Sequence, residues 1–479
     1  MQSTSKSRAL VHVKWGIWLY IWLLIFEGSL RKWLLPQFSD VLLIIRDPVV
    51  LVIYALAIKA RIFPTNRYII SLAIISALSW AVSILVLSPF LNVKSLVLVT
   101  GFGFRSNFLH LPLIFVIGNA LTTEDMKKLG WWFLVGMIPM ALLLAVQFAA
   151  APEAFINRTA GLGESLQITA GGGKIRPPGT FSFVSGVIFY SALATAFLLY
   201  GALTRQLYRS WVLYSAGCAL VIAIGVSGSR SVLLSVLLVV ASLIAVILIR
   251  PSAINQFGRN LLIGCIALLV ASRLPVFNEG VQVLSDRFTE TAAAEDKTIA
   301  SGLILRTLDS FTGGLSLVSR APMAGYGLGI GTNGGARFLT GRATFLLTEG
   351  EWGRVILESG PILGLAFLLW RVFLTFTLGF ISFRQLKRGA ILPIMLFCAG
   401  AVSLLNGQFG QPTNLGFTVL ICGLCLAAAS DSALAVESGG APPPVSPPPR
   451  RIARRSSYAE RLHSAPAQPS RVHDGPTDR

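Results

Sequence analysis

A chain of 479 residues with 54% hydrophobic and only 13% charged residues is too apolar for an ordinary soluble domain, and its mean hydropathy of +0.71 reads as a polytopic membrane protein. The formal charge of +19 does not indicate nucleic acid, because Lys and Arg fall mainly in short turns between apolar runs and in the C-terminal tail. That placement is the one that orients membrane segments.

Hydrocarbon requires roughly 20 apolar residues per helix, and the sequence shows about twelve such runs without strand-period alternation. The expected fold is therefore an all-α integral membrane protein, a polytopic bundle of about twelve transmembrane helices with a large extracytoplasmic loop between the ninth and tenth. The basic start MQSTSKSRALVHVKWG runs into the first helix without a cleavage pattern, which predicts an uncleaved helix and a cytoplasmic N-terminus. Charges then recur after every even-numbered run: Lys59, Arg61 and Arg67; Glu124, Asp125, Lys127 and Lys128; Arg205 and Arg209; Arg250 and Arg259; Arg384, Lys387 and Arg388. Both termini are expected in the cytoplasm, and two long segments, about 150–181 and 272–352, are left outside. The chain divides into four regions: 1–271 with nine helices and the outer loop 150–181; an extracytoplasmic catalytic loop 272–352; helices ten to twelve over 353–431; and a disordered cytoplasmic Pro/Arg-rich tail 432–479.

Within the early runs, Glu27, Arg31, Lys32, Arg46, Asp47 and Arg105 sit where lipid is expected. Each is expensive there unless it is paired or faces a wet cavity, so the choice is a polar cavity for a charged lipid headgroup or ion pairs between helices. Pro48 and Pro112 are candidates for kinks that would open such a cavity. The Gly- and Pro-rich loop 150–181 reads as a mobile cover with little regular structure. Its GGGK is followed by Ile, which fails the phosphate-loop spacing, and the glycines Gly325 to Gly331 follow no strand of a dinucleotide fold. Cys218, Cys265, Cys398, Cys422 and Cys425 all lie in apolar runs and read as small core residues, the CxxC of the last two included. His12, His463 and His473 are near the termini, which leaves His110 alone, and no metal or cofactor is expected. In the tail, Arg450, Arg451, Arg454 and Arg455 either lie against anionic lipid or only enforce orientation.

Between runs seven and eight, SGSRS sets Arg230 alone at the outer boundary, against the positive-inside pattern, as a helix cap or a ligand contact. The SGSRS turn, the block from Arg306 to Gly331 with its AP and GYGLG, and the closing Glu349, Glu358 and Gly360 come in an order that resembles the O-antigen ligase and Wzy polymerase superfamily. These are GT-C-like transferases of undecaprenyl-diphosphate-linked glycans, and the resemblance covers most of the chain. It implies that Arg230 and Arg306 bind the lipid diphosphate; Arg105, one of the charges placed in lipid, is a further candidate substrate contact on that separate ground. A planar guanidinium holds two phosphate oxygens and meets the negative charge that develops on the leaving group, so the transfer is metal-independent. Where ligases place a His-Asn pair this chain has Glu349 and Gly350, so Glu349 or Glu351 stands in as the base. The expected activity is polymerisation of lipid-linked repeat units of a surface polysaccharide at the outer face of the bacterial cytoplasmic membrane. The alternatives are an O-antigen ligase acting on lipid A core, and a flippase or transporter of lipid-linked oligosaccharide. Expected partners are the undecaprenyl-diphosphate-linked donor, a glycan acceptor and membrane lipids, with a flippase and a chain-length regulator as further protein partners and no nucleic acid.

Overall fold

A computed structural model describes residues 2–161, 167–204, 206–249, 272–273, 275–295, 309, 311–342 and 344–437. The chain divides into two compact units, residues 1–433 and 434–479, and the candidate membrane spans lie in the first. The protein is mostly helical, because in hydrocarbon each backbone N–H and C=O has to find its partner within its own segment. Among the described residues eight helices are long and apolar enough to cross a membrane, and Ser210–Val226 and Leu392–Asn406 are apolar but shorter. The ninth run expected from hydropathy falls outside the described residues.

In chain order the helices are α1 (Gln2–Ser29), α2 (Ser39–Leu42), α3 (Arg46–Lys59), α4 (Arg67–Leu87), α5 (Val93–Phe104), α6 (Leu113–Ala120), α7 (Thr123–Ala149), α8 (Ser185–Leu203), α9 (Ser210–Val226) and α10 (Arg230–Ile249). Then come α11 (Pro275–Glu295), α12 (Asn333–Thr340), α13 (Glu351–Arg388), α14 (Leu392–Asn406) and α15 (Pro412–Glu437). Their starts follow from local chemistry. Asn66 and Asn92 accept the backbone N–H of Ile69 and Ser95, and Thr122 with Asp125 forms a capping box at α7.

The fourth apolar run is divided: a π turn, Arg105–Leu109, separates α5 from α6, and Pro112 stands at the cap of α6, where its missing N–H interrupts the ladder. Pro48 causes no such break. It lies in the first turn of α3, where N–H groups have no intrahelical partner anyway. A second π turn, Leu30–Leu34, follows α1 and carries Arg31 and Lys32.

The outer segment after α7 is more regular than its composition suggests. It holds a 3₁₀ turn, Phe155–Asn157, and an antiparallel hairpin of β1 (Thr169–Gly171) and β2 (Lys174–Ile175). Gly172 and Gly173 turn the hairpin with φ of 56° and 73°, the double positive φ that a two-residue loop demands. Two of its described points are tied to the end of α7. Asn157 donates to the carbonyls of Gln147 and Ala151, and the Gln147 amide both donates to Gly179 O and accepts its N–H.

In the long segment before α13, α11 packs on α9 with Phe277 buried beside Gly225. The decisive element is α13. Glu351 and Arg371 are 20 residues apart, about 30 Å along a straight helix, yet Arg371 Nη1 donates to Glu351 Oε1 at 2.8 Å. The chain therefore doubles back at Gly360, whose φ of 76° and ψ of 170° are not helical, and residues 351–359 lie along the start of 361–388. Gly325 seals the bend: the N–H groups of Tyr326 and Gly327 take the terminal carbonyls of Leu357 and Glu358 at 2.8 and 2.9 Å. Leu328 N–H reaches Ser83 Oγ at 2.8 Å, and Gly329 passes so close to Gly103 of α5 that a Cβ on either would meet the other's backbone within about 3 Å. The glycine-rich loop is thus a tightly seated plug against α4, α5 and α13.

Candidate functional site

Side chains of the early helices form a first buried charge cluster around the π turn Arg105–Leu109. Glu27 accepts from Arg46 Nε at 3.0 Å and from Arg31 Nη1 at 3.4 Å. Asp47 takes Arg105 Nε at 2.5 Å and lies 2.9 Å from His110 Nε2, while His110 Nδ1 is 3.2 Å from the hydroxyl of Tyr20. Arg46 and Asp47 serve different partners because consecutive helical residues do not share a face. Three further donors go to backbone: Arg46 Nη2 to Pro412 O at 2.7 Å, Arg105 Nη2 to Leu43 O at 2.9 Å and Lys32 Nζ to Gly179 O at 2.6 Å. Four cations, Arg31, Lys32, Arg46 and Arg105, thus meet two carboxylates, Glu27 and Asp47. One guanidinium nitrogen of Arg46 and one of Arg105 are buried with no hydrogen-bond partner among the described residues. Such a donor costs about 1–3 kcal/mol or more for a charged group, and an anion would relieve it.

A second cluster starts two residues further along the same π turn. Asn107 accepts from Arg354 Nη2 at 2.8 Å. Arg354 also donates to Glu351 through Nε and Nη2, both at 3.0 Å, and to Glu358 Oε2 at 2.6 Å. Glu358 Oε1 accepts the Gly331 N–H at 2.9 Å. Arg371 completes the set, giving Nη1 to Glu351 and its other nitrogens to the carbonyls of Leu404, Ser403 and Gly407, with Phe409 stacked at 3.8 Å. Here two cations meet two carboxylates and each guanidinium nitrogen has a partner.

A third feature surrounds the SGSRS turn. Gly228 holds it with φ of 54°, and a Cβ there would lie 2.6 Å from Ala170 of β1 and 3.9 Å from Arg176 Cγ. The hairpin thus packs at Ala170 and Arg176 against the turn that leads to the half-buried Arg230, which opens α10, and Lys174 pairs with Glu279 of α11 at 3.1 Å. Segment 179–182 follows the hairpin and joins this region to the first cluster, since it receives Lys32 at Gly179 O and Arg31 at Ser182 Oγ. At Thr180 it also borders an apolar cavity of about 360 Å³ between α1 and α7, walled by Trp18, Trp22, Trp132 and Met140.

Of the residues expected from sequence, Arg105 belongs to the first cluster and Glu351 to the second, where its carboxylate is held by Arg354 and Arg371. Glu349 is exposed, and Gln408 donates to its backbone carbonyl at 2.9 Å. Arg306 lies outside the described residues. Arg354, Arg371, Lys174 and Arg176 are not singled out by the motif order, although Glu351, Arg354 and Glu358 at i, i+3 and i+7 share one helix face, and Arg371 is a lone charge in an apolar run. No family model and no curated protein matches the chain.

Proposed function

We propose that this is a Wzy-like polymerase with about twelve membrane spans, both termini cytoplasmic, acting at the outer face of a bacterial cytoplasmic membrane. The observation that carries the reading is the first cluster: a buried, net-positive group with guanidinium nitrogens unpartnered among the described residues, joined through segment 179–182 to the turn that bears Arg230. Such a site suits a lipid diphosphate. The apolar cavity beside Thr180 suits its hydrocarbon chain.

In the reaction, the bond between the donor sugar's anomeric carbon and the diphosphate breaks, and a hydroxyl of the acceptor glycan forms the new glycosidic bond. Arg230 and Arg306 hold the diphosphate as it leaves, and Arg105 adds positive potential. The hydroxyl proton goes to a carboxylate. Glu351 already accepts from two arginines, so Glu349, which is exposed, is the better base and Glu351 the anchor of the second cluster.

The test is polysaccharide length in cells expressing variants at matched membrane abundance. Arg230→Lys and Arg306→Lys should each lose on the order of a hundred- to a thousandfold in rate, because an ammonium cannot reproduce the guanidinium fork. Near-normal chains from both would overturn the clamp. In a deletion strain, single lipid-linked repeats outside the membrane support polymerisation, whereas unattached full chains point to ligation and repeats retained inside point to flipping. Reporters fused near Asn278 and after Lys387 should be active outside and inside respectively; reversed signals would remove the site model.

A further inference from the structure

A second cavity, of about 520 Å³, opens where α4 starts and α6 ends, with Arg67 in its lining. Asn66, Arg67 and Asn119 supply its polar side, and Phe115, Leu378 and Ile381 its apolar side. Among the described residues, none that lines it is acidic. The walls are fixed by bonds between helices: Tyr68 stacks on Phe115 with ring centroids 6.0 Å apart, its hydroxyl bonds Thr377 of α13 at 2.5 Å, and Trp370 Nε1 donates to Tyr68 O at 2.9 Å. Asn119 Nδ2 donates to Ile62 O at 3.1 Å, which ties the end of α6 to the turn before α4. Arg67 is exposed and, among the described residues, pairs with no carboxylate; its guanidinium lies 5.9 Å from the Tyr68 ring.

A preformed space with one cationic side and one apolar side is shaped for an amphiphile of negative charge. We propose that it binds an anionic glycerophospholipid of the adjoining leaflet, headgroup phosphate on Arg67 and one acyl chain between Phe115 and the α13 residues Leu378 and Ile381. The stretch of chain that leads to Arg67, residues 59–66, carries two further cations, Lys59 and Arg61, and no carboxylate, which favours an anion over the arginine-rich tail as occupant. The site uses none of the residues assigned to glycan transfer and does not depend on that reading.

Native mass spectrometry of the full chain in detergent, with phosphatidylglycerol and phosphatidylethanolamine offered at equal concentration, tests the proposal. The wild type should retain phosphatidylglycerol on the order of tenfold more than the zwitterionic lipid, because both offer a phosphate to Arg67 but only phosphatidylethanolamine brings an ammonium that the cationic side repels. Arg67→Ala should lose that preference at unchanged Tm, and Arg342→Ala, at an exposed position elsewhere, should keep it. Ile381→Trp fills the apolar side without touching a charge and should lose both lipids. Equal retention of the two lipids by the wild type, or an undiminished preference in Arg67→Ala, would overturn the site. So would a rise in lipid retention after truncation at Glu437, because the tail would then be the occupant.

Discussion

The two buried charge clusters share one π turn and differ in how completely they are satisfied. Around Arg354 and Arg371, charges balance two against two and every guanidinium nitrogen has an acceptor. Around Arg46 and Arg105, four cations meet two carboxylates, and two guanidinium nitrogens lack partners among the described residues. A saturated network fixes one arrangement of the chain, whereas an unsaturated one keeps binding capacity at some expense in stability. The Arg354 cluster is therefore the frame that holds the α13 bend, and the Arg105 cluster is the one with donors left unused among the described residues.

The contrast is broken most directly at Arg354. Arg354→Leu leaves Glu351 and Glu358 buried without their shared cation and should lose roughly 3–5 kcal/mol, seen as loss of folded protein in membranes and a collapsed thermal transition in detergent. A variant that stays abundant with an unchanged transition would remove the second cluster from the frame. Arg105→Lys keeps the charge beside Asp47 but not the reach to Leu43 O, so activity per folded molecule should drop on the order of tenfold or more while Tm moves by only a few degrees. A large Tm loss with full specific activity would make both clusters structural. Tyr20→Phe deletes one hydrogen bond to His110 and should cost about 0.6–1.7 kcal/mol, readable as a modest shift in detergent melting. At the small end, Arg342→Lys on the exposed loop should stay within about 0.5 kcal/mol and leave polysaccharide length unchanged.

The helices were legible because apolar runs of bilayer length leave the backbone little alternative, and most predicted spans coincide with helices. The charges Glu27, Arg46, Asp47 and Arg105 were legible as anomalies, but their pairing was not, since Arg46 finds Glu27 19 positions away and Arg105 finds Asp47 58 positions away. Hydropathy also smooths over backbone defects. It treats the fourth run as one helix, although Arg105 to Leu109 form a π turn, and it has no signal for the reversal at Gly360, where two helical stretches flank one residue at positive φ. The hairpin at Gly172 and Gly173 was hidden for a different reason: GGGK invites comparison with phosphate loops, and only its positive φ angles disclose a turn.

The reversal at Gly360 also constrains how the protein is made. As one continuous helix α13, with 38 residues, would be about 57 Å long, nearly twice the hydrocarbon thickness, so a nascent chain cannot lodge it as a single stop-transfer segment. Its leading piece carries Glu351, Arg354 and Glu358, and a charged side chain at the centre of an inserting helix costs about 2.5–3.5 kcal/mol. That piece becomes compatible with lipid only once Arg371 has left the ribosome and Asn107, synthesised long before, is already in place to receive Arg354. For residues 351–388 this predicts an order of insertion: the apolar stretch 361–388 engages the membrane first, and residues 351–359 fold back onto it afterwards.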